Sequence, residues 1–153
     1  FSKKLVEFDS LYFLDVVQGT IEENEEEFIL EQWRQLNKGE NKDEKVIGVY
    51  SPTTELLARK YKPIMSKTEG KPYNLQWSGS LFSKTKLYIN RTKNDVEIFI
   101  NSDSKNLPKL EKTISKKGKI SPKSIWGFNS KNKSKMNKFI HNKISVNLNK
   151  VLK

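Results

Sequence analysis

Five glutamates, Glu22, Glu23, Glu25, Glu26 and Glu27, crowd into one short stretch. Neighbouring carboxylates are the first place to look for acid–base chemistry or a bound cation. On a helix, however, this spacing spreads them along a surface instead of aiming them at one centre, so they read as a solvated or partner-facing flank. Asp95, Glu97 and Asp103 are the other acids of interest, and only a divalent ion found among them would argue for an enzyme. The single histidine, His141, follows Ile140 in a basic stretch and reads as a surface residue. One His excludes His-rich zinc sites and any mechanism needing two imidazoles. The chain has no Cys, which excludes disulfides, thiolate metal sites and thiol nucleophiles. No glycine-rich phosphate loop, nucleophile elbow or two-His metal motif occurs. The expected catalytic, cofactor and metal residues are therefore none, and no enzyme activity is expected.

Lysines offer a different chemistry. Lys112, Lys116, Lys117, Lys119 and Lys123 form one cluster, and Lys131, Lys133, Lys135, Lys138 and Lys143 another. Together they could neutralise several phosphates, with affinity falling steeply as salt rises. Of 29 bases only Arg34, Arg59 and Arg91 are Arg, which argues against base-specific readout, where Arg is preferred. Aromatic residues are not interleaved with the lysines as a stacking platform requires, although Tyr88 and Phe99 on the far side of a hairpin leave a stacking face open. A Lys- and Asn-rich composition also fits an AT-rich coding genome. That bias does not account for the separation of signs. Residues 1–44 hold 12 acids and 5 bases, net −7, whereas residues 45–153 hold 6 acids and 24 bases, net +18. Such asymmetry suits either a basic tract meeting nucleic acid or a molecule whose ends attract its own copies.

The elements that must carry these groups follow from length and pattern. The chain has 153 residues, a length that suits one domain. That domain is expected over 1–153, as an acidic helical arm (1–38) and a basic α+β body (45–153). The apolar fraction is 35% and the seven glycines raise it to about 40%, below the roughly 45–50% usual for that set, so partner surfaces are expected to supply part of the burial. No apolar run approaches a membrane span, and the charged start is unlike a signal peptide. The absence of an initiator Met implies a processed or incomplete start. A soluble protein with no membrane partner is expected.

Leu5, Phe8, Tyr12 and Val16 recur at helical spacing, with Gly19-Thr20 as a break or a bend. A second helical pattern runs through Ile21, Phe28, Ile29, Trp33 and Leu36, and Asn37-Lys38-Gly39 stops it. Residues 40–45 read as loop and Val46–Tyr50 as a short β-type run. Ser51-Pro52 predicts a helix start, with the helix ending before Pro63. The strongest β signal is a hairpin over 84–101, turning at Thr92–Asp95, with Leu87, Ile89, Val96, Ile98 and Ile100 on one inward face. A short helix is expected over Lys105–Ser115 and a C-terminal helix through Met136, Ile140, Ile144 and Leu148. The fold class is therefore α+β: a small antiparallel sheet with a central β-hairpin packed by N-terminal, middle and C-terminal helices. Ile125-Trp126-Gly127-Phe128 is an apolar patch within polar loop, serving either as a core plug or as an anchor in a neighbouring subunit.

Short phrases stand in a recognisable order. They are Gln35-Leu36-Asn37-Lys38-Gly39, Tyr50-Ser51-Pro52-Thr53-Thr54, Leu75-Gln76-Trp77-Ser78-Gly79-Ser80-Leu81-Phe82, Asp103-Ser104-Lys105 and Ile125-Trp126-Gly127-Phe128. From about Ile29 to Leu152 this order resembles small tail-completion or head–tail connector proteins of tailed bacteriophages, particularly of crAss-like and other Bacteroidetes phages. More distantly it is similar to the virion-morphogenesis family that carries a TG-x-L phrase. The chain departs from the family at Ser78, usually Thr, and at Lys116-Lys117-Gly118-Lys119, where relatives often show an aromatic–glycine pair. Within the shared phrase, Ser78-Gly79 would form a tight turn, the hydroxyl capping the next turn and Gly79 taking the unusual backbone angle. Leu81 and Phe82 would then dock into the core.

The resemblance implies a structural virion protein, present in host cytoplasm during assembly and in the phage neck or tail afterwards. It would form a homo-oligomeric ring of roughly twelve copies, or about six in a long tail, beside portal, ring or tail proteins. The candidate subunit interface is Glu23, Glu26, Glu27, Trp126 and Phe128. The candidate basic surface facing genomic DNA is Lys116, Lys117, Lys119 and Lys123. The alternative is a basic DNA-binding accessory protein.

Overall fold

A computed structural model describes residues 2–61, 67–75, 79–117 and 120–151, with side chains from residue 12 onward except those of 117 and 151. Its element order is α1 (Ser2–Glu23), α2 (Glu25–Asn37), α3 (Pro52–Tyr61), α4 (Ser80–Ser83), β1 (Thr85–Arg91), β2 (Val96–Ser102), α5 (Leu107–Lys117), a 3₁₀ turn (Pro122–Ser124) and α6 (Ser130–Val151). This is an α+β fold.

Gly19 does not break the first helix. Helix α1 runs through it, and the chain turns instead at Asn24, whose side-chain amide donates to the Thr20 carbonyl at 2.7 Å. An Asn side chain competes with the backbone for the carbonyls of the preceding turn, and that competition sits one turn later than the glycine. Glu25, Glu26 and Glu27 then open α2, where their charge complements the positive end of its dipole. At its other end Gly39 takes φ +77°, the left-handed stop expected of that position.

Helix α2 is not part of an arm. Its Phe28 lies in one apolar cluster with Ile21, Ile100, Phe128 and Met136, against which the hairpin's inner side chains pack. Its Trp33 and Leu36 lie in a second cluster with Ile47, Ile114 and Ile125, and Trp126 packs against both clusters. Helix α1 packs against α6, so the acidic segment is built into the body.

Strands β1 and β2 pair antiparallel, with Leu87 opposite Ile100 and Ile89 opposite Ile98. Period-two alternation puts Leu87, Ile89, Val96, Ile98 and Ile100 on the inner side, as expected. The Val46–Tyr50 run forms no ladder. It makes the isolated bridges Glu40 to Val46 and Val49 to Pro72, and Gly48 lies against the Tyr73 ring, where an added Cβ would come within 2.4 Å of Cε2. Helix α3 begins where Ser51 and Pro52 predict, with the Thr54 amide donating to Ser51 Oγ at 3.3 Å. Pro63 lies outside the described residues.

Candidate functional site

The acidic flank is real and open. Glu22, Glu23, Glu25, Glu26 and Glu27 are all exposed around the turn between α1 and α2, while Ile21 and Phe28 of the same turn are buried. Of the candidate interface acids, Glu23, Glu26 and Glu27 thus lie on surface available to a partner. Glu25 is engaged within the chain, accepting a 3.3 Å hydrogen bond from the Leu87 amide at the hairpin edge.

Trp126 and Phe128 stand differently. Phe128 is 7% exposed, with its ring centroid 6.2 Å from that of Phe28, and Trp126 meets Trp33 edge-on at 6.3 Å. In this fold Phe128 is buried in the first cluster, while Trp126 is half-buried and packs against both clusters. The physical cause is a pair of glutamines on α2. Gln32 Oε1 accepts from the Gly127 amide at 2.9 Å, Gln35 Nε2 donates to the Gly127 carbonyl at 3.0 Å, and Gln35 Oε1 accepts from the Asn129 amide at 2.9 Å. Gly127 sits at φ +107°, a region that side chains disfavour. This clasp turns the segment inward so that Phe128 is buried and Trp126 is half-buried.

Within the turn phrase, Gly79 has φ +74° and caps α4, the role expected of it. Ser78 lies outside the described residues. Ser80 Oγ lies 3.1 Å from Ser104 Oγ and accepts from Asn106 Nδ2 at 2.7 Å. Leu81 packs against the second cluster. Phe82 does not enter the core: it remains 45% exposed, with one edge against Trp33 at 5.3 Å.

Lys116 is exposed on α5 and Lys123 on the 3₁₀ turn. Lys117 belongs to α5, but its side chain is outside the description, and Lys119 lies outside the described residues. Lys109, Lys112, Lys131, Lys133, Lys135, Lys138 and Lys143 are exposed as well. On the outer side of the hairpin Tyr88 and Phe99 face each other across the strands, 42% and 56% exposed. Asp103 steadies this side, accepting from the Tyr88 hydroxyl at 2.9 Å and pairing with Lys86 at 2.8 Å. Those contacts hold the Asp103 carboxyl below the usual carboxylate range. Among the described residues no three His, Asp or Glu side chains converge on a position that could hold a metal ion, and no helix is long and apolar enough to cross a membrane.

Sequence reasoning passed over two polar nodes. Glu31 is 5% exposed and pairs with Arg34 at 3.0 Å and with Lys135 of α6. Burial raises its pKa, but the hydrogen bonds and charges of Lys135 and Arg34 outweigh that and hold it below the ordinary value. Lys67 is also 5% exposed, donating to the Tyr50 hydroxyl and to Asn74 Oδ1, each at 3.0 Å, beside a cavity of about 360 Å³. Desolvation lowers its pKa. Both are charged residues placed like core residues, and neither breaks a local pattern that would have announced it. No protein-family model, curated protein or solved structure matches the chain.

Proposed function

We propose that the chain is a structural virion protein that assembles head-to-tail into a closed ring in the neck or tail of a phage. Its work is assembly, not chemistry. The observation that carries this reading is the distribution of charge on the folded surface. Exposed acids gather at the turn between α1 and α2, and exposed lysines gather on α5, the 3₁₀ turn and α6. Two unlike patches on one molecule attract unlike patches on its copies, and a heterologous contact closes into a ring when its rotation divides the circle. Charge of this kind steers orientation and disfavours wrong pairings, while affinity comes from apolar groups. Helix α3 supports the same reading. It is held through Ala58 and leaves Leu56 68% and Tyr61 61% exposed, apolar surface suited to an adjacent portal, ring or tail protein. The resemblance of the phrases supplies the copy number, roughly twelve and otherwise about six.

The test is the mass of the purified protein in solution at low and high salt, alone and mixed with the neighbouring portal or ring protein. Salt-sensitive oligomers are expected. A monomer under every condition, binding no neighbour, refutes the reading.

A second reading, a basic DNA-binding accessory protein, draws on the exposed Tyr88–Phe99 pair and the lysines of α5 and α6. It requires a salt-dependent shift with arbitrary duplex DNA that weakens on reversing Lys116, Lys117 and Lys119 to Glu. Under the ring reading the same triple variant folds normally and changes assembly or nothing.

A further inference from the structure

A groove of about 820 Å³ opens beneath the inner side of the hairpin. Its floor is apolar, including Phe28, Ile98, Phe128, Met136 and Ile140, and its rim carries Lys42, Lys123 and Lys133 against one acid, Glu111. A groove of this size is large enough to admit a small ligand or several side chains. Trp126 lines it too, and its indole N–H is buried with no hydrogen-bond partner among the described residues. That nitrogen has no exposed surface, so the groove's chemistry is set by its other features. An apolar floor and a cationic rim together suit an occupant that presents acidic groups from a compact backbone.

The chain carries such an occupant. Glu22, Glu23 and Glu26 are exposed on the turn between α1 and α2, one helical turn from Gly19. Gly19 stands inside a 22-residue helix, and a Cβ added there would meet nothing within 4 Å. Glycine inside a helix is destabilising relative to alanine, and nothing in its own copy crowds this position. The bare backbone does, however, permit close approach by another body. We infer that the α1–α2 turn of one copy seats in the lysine-rimmed groove of a second copy, with the acids meeting Lys42, Lys123 and Lys133. This inference rests on the ring reading and specifies its contact. The turn also walls the groove of its own copy through Ile21 and Phe28, but the acids and the lysine rim are separate groups, so a contact of acids on lysines is heterologous and propagates from copy to copy.

Because the chain has no Cys, a disulfide trap reads the contact directly. Variants Glu23→Cys and Lys123→Cys are made separately, mixed and oxidised at low salt. The mixture is expected to give a cross-linked heterodimer that is lost when Gly19→Leu is added to the first variant. Leu56→Cys on α3, in place of Lys123→Cys, is expected to give none. Thermal melts confirm that each variant is folded. Oligomers of wild-type mass with no Glu23–Lys123 cross-link, or a cross-link unaffected by Gly19→Leu, overturn the docking inference and leave the ring reading standing. Absence of both oligomer and cross-link overturns both.

Discussion

Gly19→Ala separates the needs of the single molecule from those of the assembly. In the isolated fold the new methyl group has no atom within 4 Å, so neither a clash nor new burial enters the estimate. What remains is backbone freedom: alanine gains about 0.5–1 kcal/mol over glycine within a helix. For a chain of this length, 1 kcal/mol moves Tm by roughly 2–4 °C. The variant should therefore melt about 1–4 °C higher, with an unchanged urea m-value. The assay is urea and thermal unfolding in high salt at low protein concentration, where contacts between copies do not contribute. If the α1–α2 turn docks as inferred, oligomer formation at low salt should move the opposite way, because the methyl group would stand where the neighbouring copy's groove closes on the helix. Loss of stability on the order of 1 kcal/mol would refute the reasoning, since it would mean that this stretch is not an open helical surface.

Phe128→Ala should lower stability by about 3–5 kcal/mol, the usual cost of emptying a buried phenylalanine site; urea unfolding checks this, and a change near zero with assembly lost would instead make Phe128 a subunit anchor. Gly127→Ala should cost about 1–2 kcal/mol, because the residue keeps a left-handed backbone angle; the same unfolding assay reads it, and near-neutrality would mean the glutamine clasp does not impose that angle. Glu31 titrates below its ordinary value in the fold, so the native state binds fewer protons than the unfolded chain. Its stabilising contribution is therefore complete above the unfolded carboxylate value and disappears as pH falls through the folded one. Stability measured across the acid range should fall less steeply for Glu31→Gln than for the wild type, and parallel curves would contradict the sign. Lys67 is shifted down by desolvation, so stability should rise with pH between its folded value and the ordinary lysine value. Lys67→Met should flatten that alkaline rise, a comparison that requires only unfolding at several pH values.

Periodic signals were read well from the residues. The hairpin alternation of Leu87, Ile89, Val96, Ile98 and Ile100, the stop at Gly39 and the start at Ser51-Pro52 all depend on local backbone chemistry. The misreadings have non-local causes. Gly19 resembled a break, but the helix runs through it and the chain turns at Asn24, whose side chain donates to the Thr20 carbonyl. The β-type run at Val46–Tyr50 has the right composition for a strand, yet its partners are two separate segments, Glu40 and Pro72, and it makes only isolated bridges to them. Trp126 and Phe128 could be read as plug or anchor until Gln32 and Gln35, about ninety residues earlier in the chain, were seen to turn that segment inward. Hydrogen bonds of such long reach leave no periodic trace. Within the candidate surfaces, the exposed acids were legible as a helix flank, whereas the groove was not, because it is formed by the hairpin, α1, α6 and the 126–128 segment together.

The glutamine clasp has a consequence of its own. Every bond in it is between uncharged partners, and the clusters it closes are hydrocarbon, so dissolved ions have little hold on this part of the architecture. A partner docking at the glutamate-rich bend would, by contrast, be steered there by charge. On the ring reading, ionic strength would then work as a release lever, freeing subunits from one another while each keeps its shape.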